Sequence, residues 1–196
     1  MADPAQRRLD AASLPGLAHP LRVQLLEQLT HHGPGTATQL GERLGESSGA
    51  TSYHLRQLER YGFVETCPDR GTGRERWWRR VEGRLTISTP EFADDPGTRE
   101  AAALIVNEFQ RGRRARHDQW WRTFEQWPRE WQEASSESST HLSLTAAETR
   151  ELGEELNELL SAWKRRSTDR ESPPDARSVE AQVTIFPLLT PDAGEE

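Results

Sequence analysis

Apolar residues in the first third of the chain recur with helical spacing. Leu21, Leu25 and Leu29 are four residues apart, and Pro20 stands where a first helical residue is expected. Later groups repeat this spacing, and each is bounded by serine, threonine or glycine, residues typical of helix ends. The pattern predicts four helices, at about residues 9–17, 18–32, 37–44 and 48–61.

The pattern changes after these helices. Residues 63–67 and 75–81 favour strands, and the loop between them contains Gly71 and Gly73, which adopt positive φ at little cost. Two helices joined by a tight turn, followed by such a hairpin, predict a winged helix-turn-helix. We expect a recognition helix at about 48–61 and a wing at about 68–76.

The second half of the chain predicts a linker and then long helices. A helix at about 98–133 should break near Trp127, because Pro128 removes a backbone donor. Thr145 and Glu148 form a capping-box pattern, which opens a helix at about 145–166. Alternating apolar residues predict a strand at 178–186, and 141–144 is a shorter candidate to pair with it.

We therefore expect a mainly α fold with a small β component, of the α+β class. A winged helix-turn-helix domain for DNA binding should cover residues 10–88. A C-terminal region of a long helix, a second helix and strands should cover residues 96–189 and serve dimerisation, effector binding or both.

Charge is distributed unevenly along the chain. The net charge of the 196 residues is −7, but residues 1–90 hold 12 Arg against 10 acidic residues, and residues 91–196 hold 13 basic against 22 acidic residues. Five Arg and one Glu fall within residues 70–80. Because local field matters more than total charge for contact with phosphates, this focus on the wing favours a nucleic-acid partner.

The candidate DNA contacts lie on the outward face of the recognition helix and on the wing. Arg56 has the donors to bind a guanine edge or a phosphate, and Gly49 permits a close backbone approach. Serine hydroxyls and the Tyr53 ring suit bases and phosphates. The predicted DNA-binding residues are Ser48, Gly49, Ser52, Tyr53, Arg56, Arg70, Arg74 and Arg76.

Three segments, LAHPLRVQLL, SSGATSYHLRQLERYGFVE and RGTGRERWW, resemble the ArsR-type winged-helix regulators, close to an actinobacterial branch. The similarity covers about residues 10–85. It implies a homodimer that binds an inverted-repeat operator, usually as a repressor, with outer helices forming the dimer. It also implies that the recognition positions are those named on the fourth helix, with the wing arginines in support.

The sequence departs from the metal-sensing members of that family. The third helix contains ATQLGERL where those members carry a Cys-x-Cys motif, and Cys67 is the single cysteine. A thiolate site needs two or three converging sulfurs, so we expect neither a metal nor a cofactor. The lone cysteine and the lack of an apolar run of ~20 residues favour a cytoplasmic protein without membrane contact.

Aromatic residues form a stripe on the long predicted helix: Trp120, Phe124, Trp127 and Trp131. One interpretation is a dimer or domain core, the usual role of aromatics at helical spacing. The other is a pocket for an apolar or aromatic effector.

The two alternative classes of function are a protein–protein interaction module and an enzyme. A winged helix also serves as a protein–protein interaction module, because a fold does not fix a function. The basic wing and the outward Ser48, Ser52 and Arg56 favour DNA instead. No sequence motif of a nucleophile elbow, phosphate loop or zinc protease is present, so we do not expect an enzyme.

Overall fold

The computed structural model describes residues 6–68, 70, 75–87 and 89–188. The helices are α1 (Pro20–His32), α2 (Ala37–Leu44), α3 (Ser48–Arg60), α4 (Pro96–Thr123), α5 (Arg129–Ala134) and α6 (Ala146–Thr168). The strands are β1 (Gln6–Arg8), β2 (Gly35–Thr36), β3 (Val64–Thr66), β4 (Trp77–Arg80) and β5 (Arg84–Thr86). Short 3-10 turns occupy Leu14–Gly16, Thr89–Phe92 and Phe124–Gln126. The predicted α+β class is confirmed.

The chain divides into two compact units, Met1–Gln126 and Trp127–Glu196. The first unit therefore contains the winged helix-turn-helix elements and the whole of α4. The predicted assignment of DNA binding to 10–88 and of dimerisation or effector binding to 96–189 concerns roles, and it stays a prediction.

The core of the first unit forms between α1, α3 and the sheet. Leu25 of α1, Leu40 of α2 and Leu55 of α3 are each fully buried. Ile105 brings α4 into the same cluster. Burial of side chains of this size stabilises the fold by roughly 1.5–3 kcal/mol each, which fixes the helices relative to one another.

Helix ends in this unit are set by local hydrogen bonds. Thr36 and Gln39 form a reciprocal capping box at the start of α2. The Ser47 side chain accepts from the backbone N–H of Ala50 at 3.2 Å and so caps α3. Gly45 ends α2 with φ 71°, a left-handed conformation that favours glycine.

The sheet of the wing has the strand order β2-β4-β3 and is antiparallel. Val64 pairs with Arg80 and Thr66 with Trp78, so the hairpin tip lies between residues 67 and 76. A second, two-stranded parallel sheet joins β1 to β5. Sequence patterns did not predict β1, β2 or β5, because strands of two or three residues carry no usable alternation.

Helix α4 is fastened to α1 by a polar row as well as by apolar packing. Gln24 donates from Nε2 to the buried Glu108 carboxylate at 2.7 Å, and Arg116 pairs with Glu27 at 3.1 Å. A Cβ atom at Gly112 would crowd the Glu27 carboxylate, so a larger residue at this position would require the end of the Glu27 side chain to move.

The second unit consists of α5, α6 and extended segments. The predicted capping box of Thr145 and Glu148 is present at the start of α6. Hydrogen bonds from Thr145 lower the pKa of the Glu148 carboxyl. No side chain among the described residues 127–188 is buried.

Of four predicted elements, three do not form as expected and one is divided near its predicted break. The helix expected at 9–17 is a single 3-10 turn, since Pro15 removes a backbone donor. The strands expected at 141–144 and 178–186 are extended segments without regular structure, because alternation alone supplies no hydrogen-bonding partner. The helix expected at 98–133 is divided into α4 and α5, with Pro128 before α5, close to the predicted break.

Candidate nucleic-acid interface

Helix α3 separates a buried face from an exposed one. Thr51, Leu55 and Leu58 are buried in the first unit. The opposite face carries the predicted recognition residues: Ser48, Gly49, Tyr53 and Arg56 are exposed, and Ser52 is half-buried. Tyr53 keeps 54% of its surface exposed, which is unusual for a large aromatic side chain in a packed helix. All five residues thus lie on or beside the surface of the helix that faces away from the core.

The turn between α2 and α3 fixes how far α3 projects. A Cβ atom at Gly41 would lie 2.7 Å from the carbonyl oxygen of Glu46 and 3.0 Å from Oγ1 of Thr51. Only glycine lets α2 come this close to the turn and to α3. In contrast, a Cβ atom at Gly49 would meet no heavy atom within 4 Å, so this glycine faces open space at the start of α3.

Two of the three predicted wing arginines lie among the described residues, and both are exposed. The guanidinium carbon of Arg70 lies 5.8 Å from the ring centroid of Trp77, and that of Arg76 lies 5.5 Å from the ring of Trp78. Trp78 is buried and Trp77 half-buried, as expected for neighbours on opposite faces of a strand. Cation–π contacts of this kind hold the two charges at the base of the hairpin. Arg74 lies outside the described residues.

The other two arginines of the basic run face different partners. Arg79 donates to Glu65 across the strand pair at 2.7 Å, and this hydrogen bond raises the pKa of Arg79. Arg80 donates to the carbonyl oxygen of Gly83 at 2.9 Å, and burial lowers its pKa. The sequence pattern predicted one charge cluster from all five arginines of residues 70–80. In the structure, Arg79 and Arg80 instead form hydrogen bonds within the protein.

A histidine pair lies directly beside the exposed Tyr53. The rings of His19 and His54 are 4.3 Å apart, and Tyr53 contacts His54 edge-on at 5.1 Å. Burial lowers the pKa of both histidines, the charge of Arg22 lowers both further, and the weaker influence of Glu46 raises both. His19 also caps α1 by accepting from the backbone N–H of Leu21. Sequence reasoning missed this pair, because the two histidines are 35 positions apart.

The aromatic stripe is divided between the two units. In the first unit, Trp120 and Phe124 pack edge-on at 5.4 Å. In the second unit, Trp127 and Trp131 lie 5.6 Å and 6.0 Å from the Arg177 guanidinium carbon. All four aromatic side chains are half-buried. The effector pocket proposed for them stays a prediction.

Among the described residues, no three or more His, Cys, Asp or Glu side chains lie together so as to hold a metal ion. Among the helices in the described part of the chain, none combines the length and apolar composition needed to cross a membrane.

Comparison with known proteins decides the family of this domain. A domain family described as "Helix-turn-helix domain" matches residues 17–67, the segment from the start of α1 to the base of the wing. These residues form a helix-turn-helix domain. The resemblance found in the sequence is confirmed for this part of the chain.

Two solved structures resemble about half of the chain. One, described as a possible transcriptional regulator for arsenical resistance, is 28% identical over 50% of this chain and 82% of its own, with a TM-score of 0.31. Reduced HlyU from Vibrio cholerae N16961 is 22% identical over 50% of this chain and 85% of its own, with a TM-score of 0.32. TM-scores this low support no further conclusion. No curated protein matches the chain.

Proposed function

We propose that this protein is a sequence-specific DNA-binding transcriptional regulator, acting as a dimeric repressor rather than as an enzyme. Helix α3 enters the major groove, and the wing at about 68–76 contacts the flanking backbone. The observation that carries the proposal is the exposed face of α3: small polar residues, a glycine, a tyrosine and an arginine project from a helix whose other face is locked into the core.

Each exposed side chain has a role that suits its chemistry. Arg56 reads a guanine through two parallel hydrogen bonds or binds a phosphate. Ser48 and Ser52 donate to base or phosphate acceptors near the start of α3, and Tyr53 contacts a thymine methyl group or a phosphate. Gly49 admits the DNA backbone where a side chain would intrude.

The wing contributes affinity more than specificity. Arg70 and Arg76 are held by tryptophan rings at the base of the hairpin, where they bind phosphates or enter the minor groove. Arg74 belongs to the same proposed set.

A homodimer would bind an inverted repeat, because a two-fold axis relates two copies of α3 to two half-sites. We place the protein in the cytoplasm. An apolar or aromatic effector binding near Trp120, Phe124, Trp127 and Trp131 is part of the proposal. Its test is tryptophan fluorescence during a ligand screen, and an effector site would be excluded if no compound changed the emission of these residues.

The test of DNA reading is a titration of the full chain against promoter DNA beside its own gene, at two salt concentrations. We expect one fragment to bind far more tightly than competitor DNA, with affinity falling steeply as salt rises. Alanine at Arg70 and Arg76 together should flatten the salt slope. Equal affinity for all fragments at both salt concentrations would contradict sequence-specific reading.

Two variants of α3 sharpen that titration. Arg56→Ala should cost about 1–3 kcal/mol at the preferred fragment, because it removes a base or phosphate contact. Arg60→Ala is the matched control: it removes the same charge from the exposed last turn of the helix, away from the groove. Equal losses of DNA affinity in both variants would mean that binding depends only on the net charge of the helix and not on a specific contact from Arg56.

The alternative is a winged helix that binds another protein without specific DNA contact. The distribution of charge in the first unit argues against it, because two exposed arginines lie at the wing and two more lie on α3. Equal affinity for all DNA fragments, together with binding of a protein partner through α3, would favour this alternative.

A further inference from the structure

Two tryptophan rings of the second unit contact the same cation. The guanidinium carbon of Arg177 lies 5.6 Å from the ring centroid of Trp127 and 6.0 Å from that of Trp131. Both distances fall within the range of about 6 Å in which the face of an aromatic ring attracts a positive charge. Among the described residues, the Arg177 guanidinium pairs with no carboxylate, so these two rings are its partners.

The spacing of the two rings is set by the backbone at the start of α5. Trp127 and Trp131 are four residues apart, about one helical turn. The N–H of Trp131 donates to the carbonyl oxygen of Pro128 at 2.9 Å, and Nε2 of Gln132 donates to the carbonyl oxygen of Trp127 at 2.7 Å. These hydrogen bonds hold both tryptophans independently of Arg177. The pair of rings is therefore formed before any cation arrives.

Arg177, in contrast, is held weakly. Its side chain is exposed, and residues 171–188 contain no helix or strand. A cation–π contact at an exposed position shifts an equilibrium by only a few-fold. A free cation can therefore displace Arg177 from the rings at little cost.

The charge of the second unit favours such a cation. Residues 127–196 hold 15 acidic and 7 basic residues, a net charge of −8. A field of one sign raises the local concentration of ions of the opposite sign. Cations are therefore enriched around these rings, and anions are repelled.

We propose that Trp127 and Trp131 form a binding site for a quaternary ammonium cation, and that Arg177 occupies this site when the ligand is absent. The inference rests on the effector site of the proposed function and names the class of its ligand. A quaternary ammonium has no N–H donors, so it loses no hydrogen bonds to water when it moves onto a ring face. A primary ammonium is strongly hydrated and competes poorly, whereas the guanidinium of Arg177 is weakly hydrated and mimics the ligand.

The first experiment titrates the full chain with choline at constant ionic strength, without DNA, and follows the indole N–H signals by NMR. Trp127→Phe and Trp131→Phe assign the two signals. The control compound is 3,3-dimethylbutanol, which has the shape of choline but no charge. We expect choline to shift both signals and the alcohol to leave them in place. Equal shifts with both compounds would overturn the cation site and leave an apolar effector standing. No shift with choline would also overturn it.

Two pairs of variants test the site itself. Arg177→Gln should tighten choline binding by roughly threefold, because it removes the competing cation. Arg170→Gln is the matched control, since it removes the same charge from another exposed position of the second unit, and it should change the affinity far less. Equal effects of these two variants would show that Arg177 does not occupy the site.

Trp131→Leu should weaken choline binding at least about threefold, because it removes one of the two rings. Its control is Trp163→Leu, which should leave the affinity unchanged: Trp163 is 60% exposed, and Arg166 lies over that ring alone. Circular dichroism should show intact helix in both. Native affinity in Trp131→Leu would overturn the site. Because none of these titrations contains DNA, their failure would leave DNA reading to be decided by the promoter titration.

Discussion

At the scale of single residues, the histidine pair beside Tyr53 links protonation to the recognition helix. The rings of His19 and His54 contact each other at a tilt of 39° in a partly buried place next to Arg22. Nδ1 of His54 is buried and meets no hydrogen-bond partner among the described residues. A proton on either ring would therefore meet low solvation and a neighbouring positive charge, which is why the pKa of both histidines is lowered.

The stability of the fold should depend on pH through this pair. Because the folded-state pKa lies below the ordinary value of about 6.5, the unfolded chain binds the proton more readily. The contribution of the neutral histidine pair to the unfolding free energy is complete above about pH 6.5. It is lost as pH falls through that value toward the lowered folded-state pKa. His54→Phe keeps an aromatic ring against His19 and removes one titrating group.

Urea unfolding at about pH 7.5 and about pH 5.5 checks this expectation. The loss of unfolding free energy on acidification should be smaller in His54→Phe than in the native chain. His141→Phe, at an exposed position of the second unit, serves as control. An identical loss in His54→Phe and the native chain would show that the pair does not govern this pH dependence.

At the scale of elements, two glycines of the helix-turn-helix should respond oppositely to alanine. Gly41→Ala pushes a methyl group against Glu46 and Thr51, so it should destabilise the fold by about 1–3 kcal/mol and weaken DNA binding by displacing α3. Gly49→Ala meets open space and should stabilise the fold by about 0.4–1 kcal/mol. Its methyl group should nevertheless weaken DNA binding, because it faces the duplex.

Thermal unfolding and DNA titration of both variants separate these effects. In Gly41→Ala, the stability of the fold and the affinity for DNA should both fall. In Gly49→Ala, the stability should rise while the affinity for DNA falls. Full affinity in Gly49→Ala would remove the start of α3 from the reading surface.

Several helices of both units were predictable because long amphipathic patterns and caps are local signals. The spacing of Leu21, Leu25 and Leu29 predicts α1, and the capping-box pair of Thr145 and Glu148 predicts the start of α6. The exposed face of α3 follows from the same periodicity. The strand expected at 178–186 fails for a physical reason: a strand is completed by hydrogen bonds to a partner, and its alternation does not specify one. The contacts of Arg79 and Arg80 with Glu65 and Gly83 were likewise not predictable, because the linear pattern does not show which residues lie next to these arginines in the fold.

At the scale of the whole molecule, the net charge of −7 is compatible with DNA binding because acidic residues concentrate in the second half of the chain. Helix α4 belongs to the first unit, where Gln24, Glu108, Glu27 and Arg116 fasten it to α1. Helix α4 therefore packs against a helix that itself packs against the recognition helix α3.

The central claim is that α3 reads the major groove from two half-sites. Its most direct test is methylation interference at guanine N7, an atom exposed only in the major groove. On the preferred fragment, we predict that methylation at guanines in two symmetric half-sites, one helical turn apart (about 10 base pairs) or a multiple of it, blocks binding. Arg56→Ala should abolish the interference at one guanine per half-site. Tight, specific binding that N7 methylation leaves unaffected at every guanine would contradict the claim.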